Sequence, residues 1–145
     1  MKTIGLIGGM SYSSTLIYYE QLNKLSNNHF GDLTTPKIIL SSVNFSYIES
    51  LQHDSKWSEL GSILNKEAKT LENAGAEVLA LCTNTMHKVF DEMIQNISIP
   101  SIHIAESTAQ HITNDEYKKP ALLATKFTME EEFYVQKLKD YELDH

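Results

Sequence analysis

Val78-Leu79-Ala80-Leu81-Cys82-Thr83-Asn84-Thr85-Met86-His87 is an apolar run that breaks abruptly into small polar residues. Four apolar residues in succession, with no polar alternation, read as a strand buried on both faces, the kind a parallel sheet uses. Its carboxyl end then brings one thiol, two hydroxyls and an amide to a sheet edge. In open α/β sheets that edge is where ligands bind, because strand ends and helix starts converge there.

Working outward from this strand, the chain alternates. Thr3 to Ile7 is a short β-prone run stopping at Gly8-Gly9, followed by Ser11, Ser13 and Ser14 as helix N-caps before Leu16, Ile17 and Tyr18. Ile38-Ile39-Leu40 with Val43 gives a second strand ending at Asn44, and a short amphipathic piece around Ile48 and Leu51 carries Gln52 and His53. From Trp57, Leu60, Ile63, Leu64, Ala68, Leu71 and Ala74 recur at three and four residues, and Gly75 supplies a helix terminus. Beyond the opening strand, Met86, Val89, Phe90, Met93 and Ile94 predict a helix. Ser101-Ile102-His103-Ile104 after Pro100 is read as a fourth strand, a helix follows around Ala109 and Ile112, and Leu122 and Leu123 are read as a fifth strand. The chain stops inside a helical pattern after Phe133 and Leu138, so it is expected to be cut short. This rhythm predicts an α/β fold of right-handed βαβ units, a parallel sheet flanked by helices.

With 145 residues the chain can hold one domain, or one domain and a piece of a second. Twelve cations, all Lys, against 19 carboxylates give a net charge of −7, which disfavours nucleic acid and anionic membrane as partners. Without Arg, an acidic ligand must be held by backbone N–H groups, hydroxyls, amides or Lys. The single cysteine excludes an internal disulfide, no apolar run is long enough for a transmembrane helix, and no secretory leader is legible, so a cytoplasmic setting is expected.

Gly5-Leu6-Ile7-Gly8-Gly9-Met10 lacks the G-x-G-x-x-G spacing of a dinucleotide site, and no acid ends the second strand, which argues against a nicotinamide cofactor. A Gly-Gly turn before a Ser-rich helix can hold a carboxylate, or it can simply make a tight turn. The polar run Thr83-Asn84-Thr85 can be a ligand cradle, or it can cap the next helix. His87, His103 and Glu106 lack zinc spacing and read as ordinary surface or supporting residues; no metal is expected.

Four blocks in order, Met1 to Ser11, Leu51-Gln52-His53, Thr83 to Lys88 and Thr125-Lys126-Phe127-Thr128-Met129, resemble the aspartate/glutamate racemase family. The resemblance implies a cofactor-independent amino-acid racemase of two similar α/β domains with the site between them. Residues 1–100 would form the first domain, residues 101–145 the incomplete beginning of the second, and the protein a homodimer or self-associating species. Family members use two residues on opposite faces of the substrate α-carbon, usually a cysteine from each domain, because a two-base exchange needs a deprotonated group on one face and a protonated one on the other.

Here Thr83 stands where the family's first cysteine lies, a departure shared with a subset of the family, and Cys82 is the rival candidate one residue away. The second catalytic cysteine is absent from this chain, whose only cysteine is Cys82. The resemblance further implies that Met10 and Ser11 border the substrate, that Gln52 contacts it, that Asn84 and Thr85 hold its α-carboxylate, and that Thr125 approaches from the second domain. Lys126 replaces a frequent Arg, and Ala121 and Ala124 stand where Gly is usual. The expected ligand is an acidic amino acid, aspartate or glutamate; the alternative is a non-catalytic module that binds one or serves assembly.

Overall fold

β1 (Ile4–Gly8) lies at the centre of a four-stranded parallel sheet, flanked by β2 (Ile38–Ser42) on one side and by β3 (Val78–Leu81), then β4 (Ser101–Ile102), on the other. The computed structural model describes residues 1–31, 33–115, 117, 119–124, 128–129 and 132–143. Register places Gly5 and Ile7 beside Ile39, Leu79 and Leu81, while Leu6 and Gly8 alternate to the other face beside Leu40 and Ala80.

The first face is covered by α2 (Phe45–His53), α3 (Trp57–Asn73) and α4 (Phe90–Met93), whose Leu51, Leu60, Leu64, Leu71 and Met93 close over Ile7, Leu79 and Leu81. Here the three- and four-residue spacing read from the sequence is the spacing that packs, and Gly75 follows the end of α3 with a positive φ of 92°. α1 (Tyr12–Phe30) lies over the second face, where Thr15 meets Gly8 so closely that a Cβ on the glycine would come 2.6 Å from the threonine side chain. Glycine is therefore required there by contact. α1 buries Thr15 and Ser26 while leaving Leu16 and Ile17 exposed.

Three expectations need correction. The fourth strand is only two residues long, because His103 turns the chain and its Nδ1 accepts from the Ala105 N–H to cap α5 (Ile104–Asn114). The helix after β3 begins as a 3-10 turn over Thr85–Val89 before four α-helical residues. The expected fifth strand at Leu122 and Leu123 is irregular chain: Leu123 is exposed, and Leu122 packs on a second cluster formed by Ala105 and Ala109 with Tyr134 and Leu138 of α6 (Glu132–Asp140). Residues just past position 100 belong to the first sheet, since β4 pairs with β3 through Leu79↔Ser101 and Ala80↔Ile102. No helix among the described residues is long and apolar enough to cross a membrane.

Candidate functional site

A cleft of about 490 Å³ opens at the carboxyl ends of β1 and β3. Its lining gathers Met10 and Ser11 from the turn after β1, Gln52 from the last turn of α2, and Cys82, Thr83, Asn84 and Thr85 from the end of β3. Residues expected from three separate stretches thus meet in one concavity, while Thr125, expected from a fourth, lies outside the described residues along with Lys126. Ser14, Tyr18, Phe45, Ile104 and Thr128 complete much of the wall and were not singled out as site residues from the sequence. Tyr18 lies one turn along α1 from the buried Thr15, and burial, with Cys82 and Tyr134 nearby, holds its phenol above the usual range.

The two polar turns differ in their hydrogen bonding. The Gly9 N–H donates to Thr15 Oγ1 at 2.9 Å in a buried hydrogen bond, and the Val43 N–H donates to the Gly8 carbonyl at 3.0 Å. Gly8-Gly9 is consequently a tight turn locked by the protein itself, with the Gly9 N–H engaged. Asn84, by contrast, occupies the cap position of the 3-10 turn without a side-chain capping bond. The polar run at the end of β3 is not explained by capping. Gln52 Nε2 donates to Met86 Sδ at 2.9 Å, which leaves the amide oxygen as its acceptor end.

Cys82 and Thr83 differ sharply in environment. Thr83 is half-buried at the cleft wall, whereas Cys82 is 0% exposed and its N–H continues the β1–β3 ladder to the Ile7 carbonyl. Burial pushes the Cys82 thiol up to about 12, so at neutral pH it is a protonated, weakly nucleophilic group. We expect the native chain to react with a chromogenic disulfide at least about a hundredfold more slowly than the urea-unfolded chain. Equal rates would show that the thiol is open to the cleft.

Of the two readings of His87 and His103, surface or supporting, the surface one is excluded: both are buried, and rings of His87, His103 and Phe90 pack together, the two imidazoles edge to face at 4.6 Å and Phe90 stacked on His87 at 5.4 Å. Burial holds each imidazole down at about 4, the neighbouring His103 adding to the effect on His87 and Lys137 to that on His103. Among the described residues no group of three His, Cys, Asp or Glu side chains is placed to hold a metal ion.

A parallel α/β sheet with a cleft at its carboxyl edge, lined among the described residues by hydroxyls and amides, is an arrangement in which small polar molecules bind. The sequence profile of the Asp/Glu/Hydantoin racemase family matches residues 7–145, and the chain belongs to that family. It is 28% identical over 141 residues to the broad specificity amino-acid racemase RacX of Bacillus subtilis, covering 94% of this chain and 60% of RacX. Among solved structures, a Yersinia pestis protein proposed to be an Asp/Glu racemase superposes with a TM-score of 0.95 at 43% identity, over 99% of this chain and 63% of that one. An aspartate racemase homologue from Pyrococcus horikoshii gives 0.89 at 38% identity with the same coverage. The chain therefore spans a little under two thirds of the length of these relatives.

Proposed function

We propose that this chain supplies one side of a cofactor-free racemase site for an acidic amino acid, with Thr83 as its acid/base group. The observation that carries the reading is the convergence of Met10, Ser11, Gln52, Thr83, Asn84 and Thr85 on one cleft. Asn84 and Thr85 offer neutral donors to the α-carboxylate, and the Gln52 oxygen is an acceptor suited to the ammonium. Cys82 is fully buried whereas Thr83 is only half-buried at the cleft wall, which favours the Thr83 hydroxyl. A hydroxyl is a far poorer acid than a thiol, so the two directions of exchange are unequal. In the favoured direction a base from outside residues 1–145 removes the α-proton and Thr83 returns one to the opposite face, its own proton then being restored from solvent.

In this reading the first domain runs to about residue 100, with Ser101 and Ile102 of β4 still in its sheet, and the residues beyond begin a second, the seam running between the cluster built on α3 and the cluster built on α5 and α6. Thr125 belongs to that second part of the site. A cytoplasmic setting fits the unpaired buried thiol, and self-association fits the exposed Tyr12, Leu16, Ile17 and Tyr19 of α1.

The test is a chimera in which this chain replaces the matching 63% of the Yersinia pestis protein. Loss of the α-proton signal of L-aspartate or L-glutamate in deuterated water is expected, and Thr83→Ala should slow it by about a hundredfold or more. A folded chimera that exchanges neither amino acid sinks the proposal. Calorimetric binding of an acidic amino acid without exchange, unaltered by Thr83→Ala, would establish a non-catalytic binding module instead.

A further inference from the structure

We propose that His87 is a positioning residue, a neutral imidazole protonated on Nδ1 that clamps the strand end carrying Thr83 to the start of α5 and so sets the width of the cleft. Its Nδ1 lies 2.8 Å from the Thr83 carbonyl oxygen, and its Nε2 lies 3.1 Å from the Ile104 backbone nitrogen. A carbonyl can only accept and a backbone N–H can only donate, so the tautomer follows from the partners: Nδ1 carries the proton and Nε2 the lone pair. Thr83 and Ile104 are both cleft-lining residues on different elements, and the imidazole between them is 2% exposed.

The ring itself faces a second cavity of about 410 Å³, where Phe90 stacks on it and His103 meets it edge-on. It is thus a wall between two cavities, gripped from one side by aromatic packing and hydrogen-bonded to the other side's lining. Turning the ring over would put C–H groups against the Thr83 oxygen and the Ile104 N–H, leaving a buried donor and acceptor unpaired. The conformation of the Thr83 peptide is in this way tied to a residue that does not line the cleft.

Glutamine can replace this device and leucine cannot. A carboxamide holds one donor and one acceptor on either side of a single carbon, as imidazole does, whereas leucine supplies volume alone. The part of the proposal that concerns ligand binding rests on the amino-acid reading of the cleft; the tautomer and the clamp do not. Long-range proton–nitrogen spectra of the full chain labelled with ¹⁵N-histidine should show, at pH 7 and at pH 5, a signal that disappears in His87→Gln and has a pyrrole-type Nδ1 and a pyridine-type Nε2. An Nε2-protonated or doubly protonated ring under those conditions overturns the proposal.

In amide hydrogen exchange, His87→Leu should speed Ile104 by about a hundredfold while leaving β1 and α3 protected, with His87→Gln close to the native chain. Equal loss of protection throughout would mean that His87 is only a core residue, and overturns the clamp. Calorimetry with L-aspartate and L-glutamate should place His87→Gln within about threefold of the native affinity and His87→Leu at least about tenfold weaker. If the native chain binds neither, the amino-acid reading of the cleft fails, and the spectra and exchange still decide the clamp. If His87→Leu does not fold, the native spectra together with exchange at Ile104 in His87→Gln decide it.

Discussion

Acidification from pH 6.5 to 4 is expected to remove at least about 3 kcal/mol of folding stability, with most of the loss falling before the chain's carboxylates protonate in bulk. His87 and His103 are held down at about 4 in the folded chain, first by burial and then by the neighbouring His103 for His87 and by Lys137 for His103. In the unfolded chain both return to the ordinary histidine range, so between the two values the unfolded state binds more protons than the folded one. Stability then rises with pH across that window: it is fully present above about 6.5 and lost as pH falls towards 4. The carboxylates of Asp91 and Glu106 line the same cavity and act in the opposite sense; burial is the larger effect. For His87 alone, moving an imidazole from 6.5 to about 4 corresponds to on the order of 3 kcal/mol, a large share of a small domain's total.

Glu72 and Glu77, carboxylates held low by hydrogen bonds from the Ser98 and Thr3 N–H groups, add their effect only at lower pH. Urea unfolding at pH 7.0, 5.5 and 4.5 reads the slope directly. His103→Asn keeps a good capping acceptor but cannot titrate, so it should flatten the pH dependence. A native chain equally stable at pH 7 and 4.5 would show that these imidazoles are open to water.

The buried histidines also mark where sequence reading loses its purchase. β3 is legible because an uninterrupted apolar run has few homes outside a covered parallel sheet, and α3 because its apolar spacing matches the helical period. The place of the cleft is legible because strand ends in such a sheet must converge, whereas Met10 and Gln52 were expected there only through the family resemblance. Whether His87 and His103 are surface or supporting residues was not decidable from the sequence: a polar residue has no assigned place until the partners that satisfy it are known, and the Ile104 N–H lies 17 residues from His87. Tyr18 was missed for a related reason. α1 packs through Thr15 and Ser26 and leaves Leu16 and Ile17 outside, so aliphatic periodicity points to the wrong face of that helix. Leu122 and Leu123 are β-prone without sheet partners among the described residues, and two aliphatic residues alone do not make a strand.

Gly9→Ala is expected to destabilise the chain by roughly 3 kcal/mol, against about 1 kcal/mol for Gly75→Ala, and the difference isolates why the first turn is built from glycine. Both residues have φ near +90°, at 90° for Gly9 and 92° for Gly75, so the conformational penalty for an L side chain is common to both. At Gly75 an added Cβ meets nothing within 4 Å. At Gly9 it would lie 2.5 Å from the Val43 carbonyl oxygen and 2.9 Å from the Val43 nitrogen, backbone atoms that cannot rotate away. Relief requires either the Gly9 turn or the chain at Val43 to shift. The first choice disturbs the bond from the Gly9 N–H to Thr15 and displaces Met10 and Ser11; the second moves the segment leading into α2, which carries Phe45 and Gln52. Each of those residues lines the cleft, so the substitution should weaken ligand binding even in the fraction that stays folded. Denaturant midpoints at constant m-value give the two stabilities, and binding measured on the folded fraction gives the second effect. Equal destabilisation by the two substitutions would mean that the close approach of the first turn to Val43 is not a constraint in solution, and that the mouth of the cleft is looser than its glycine contacts require.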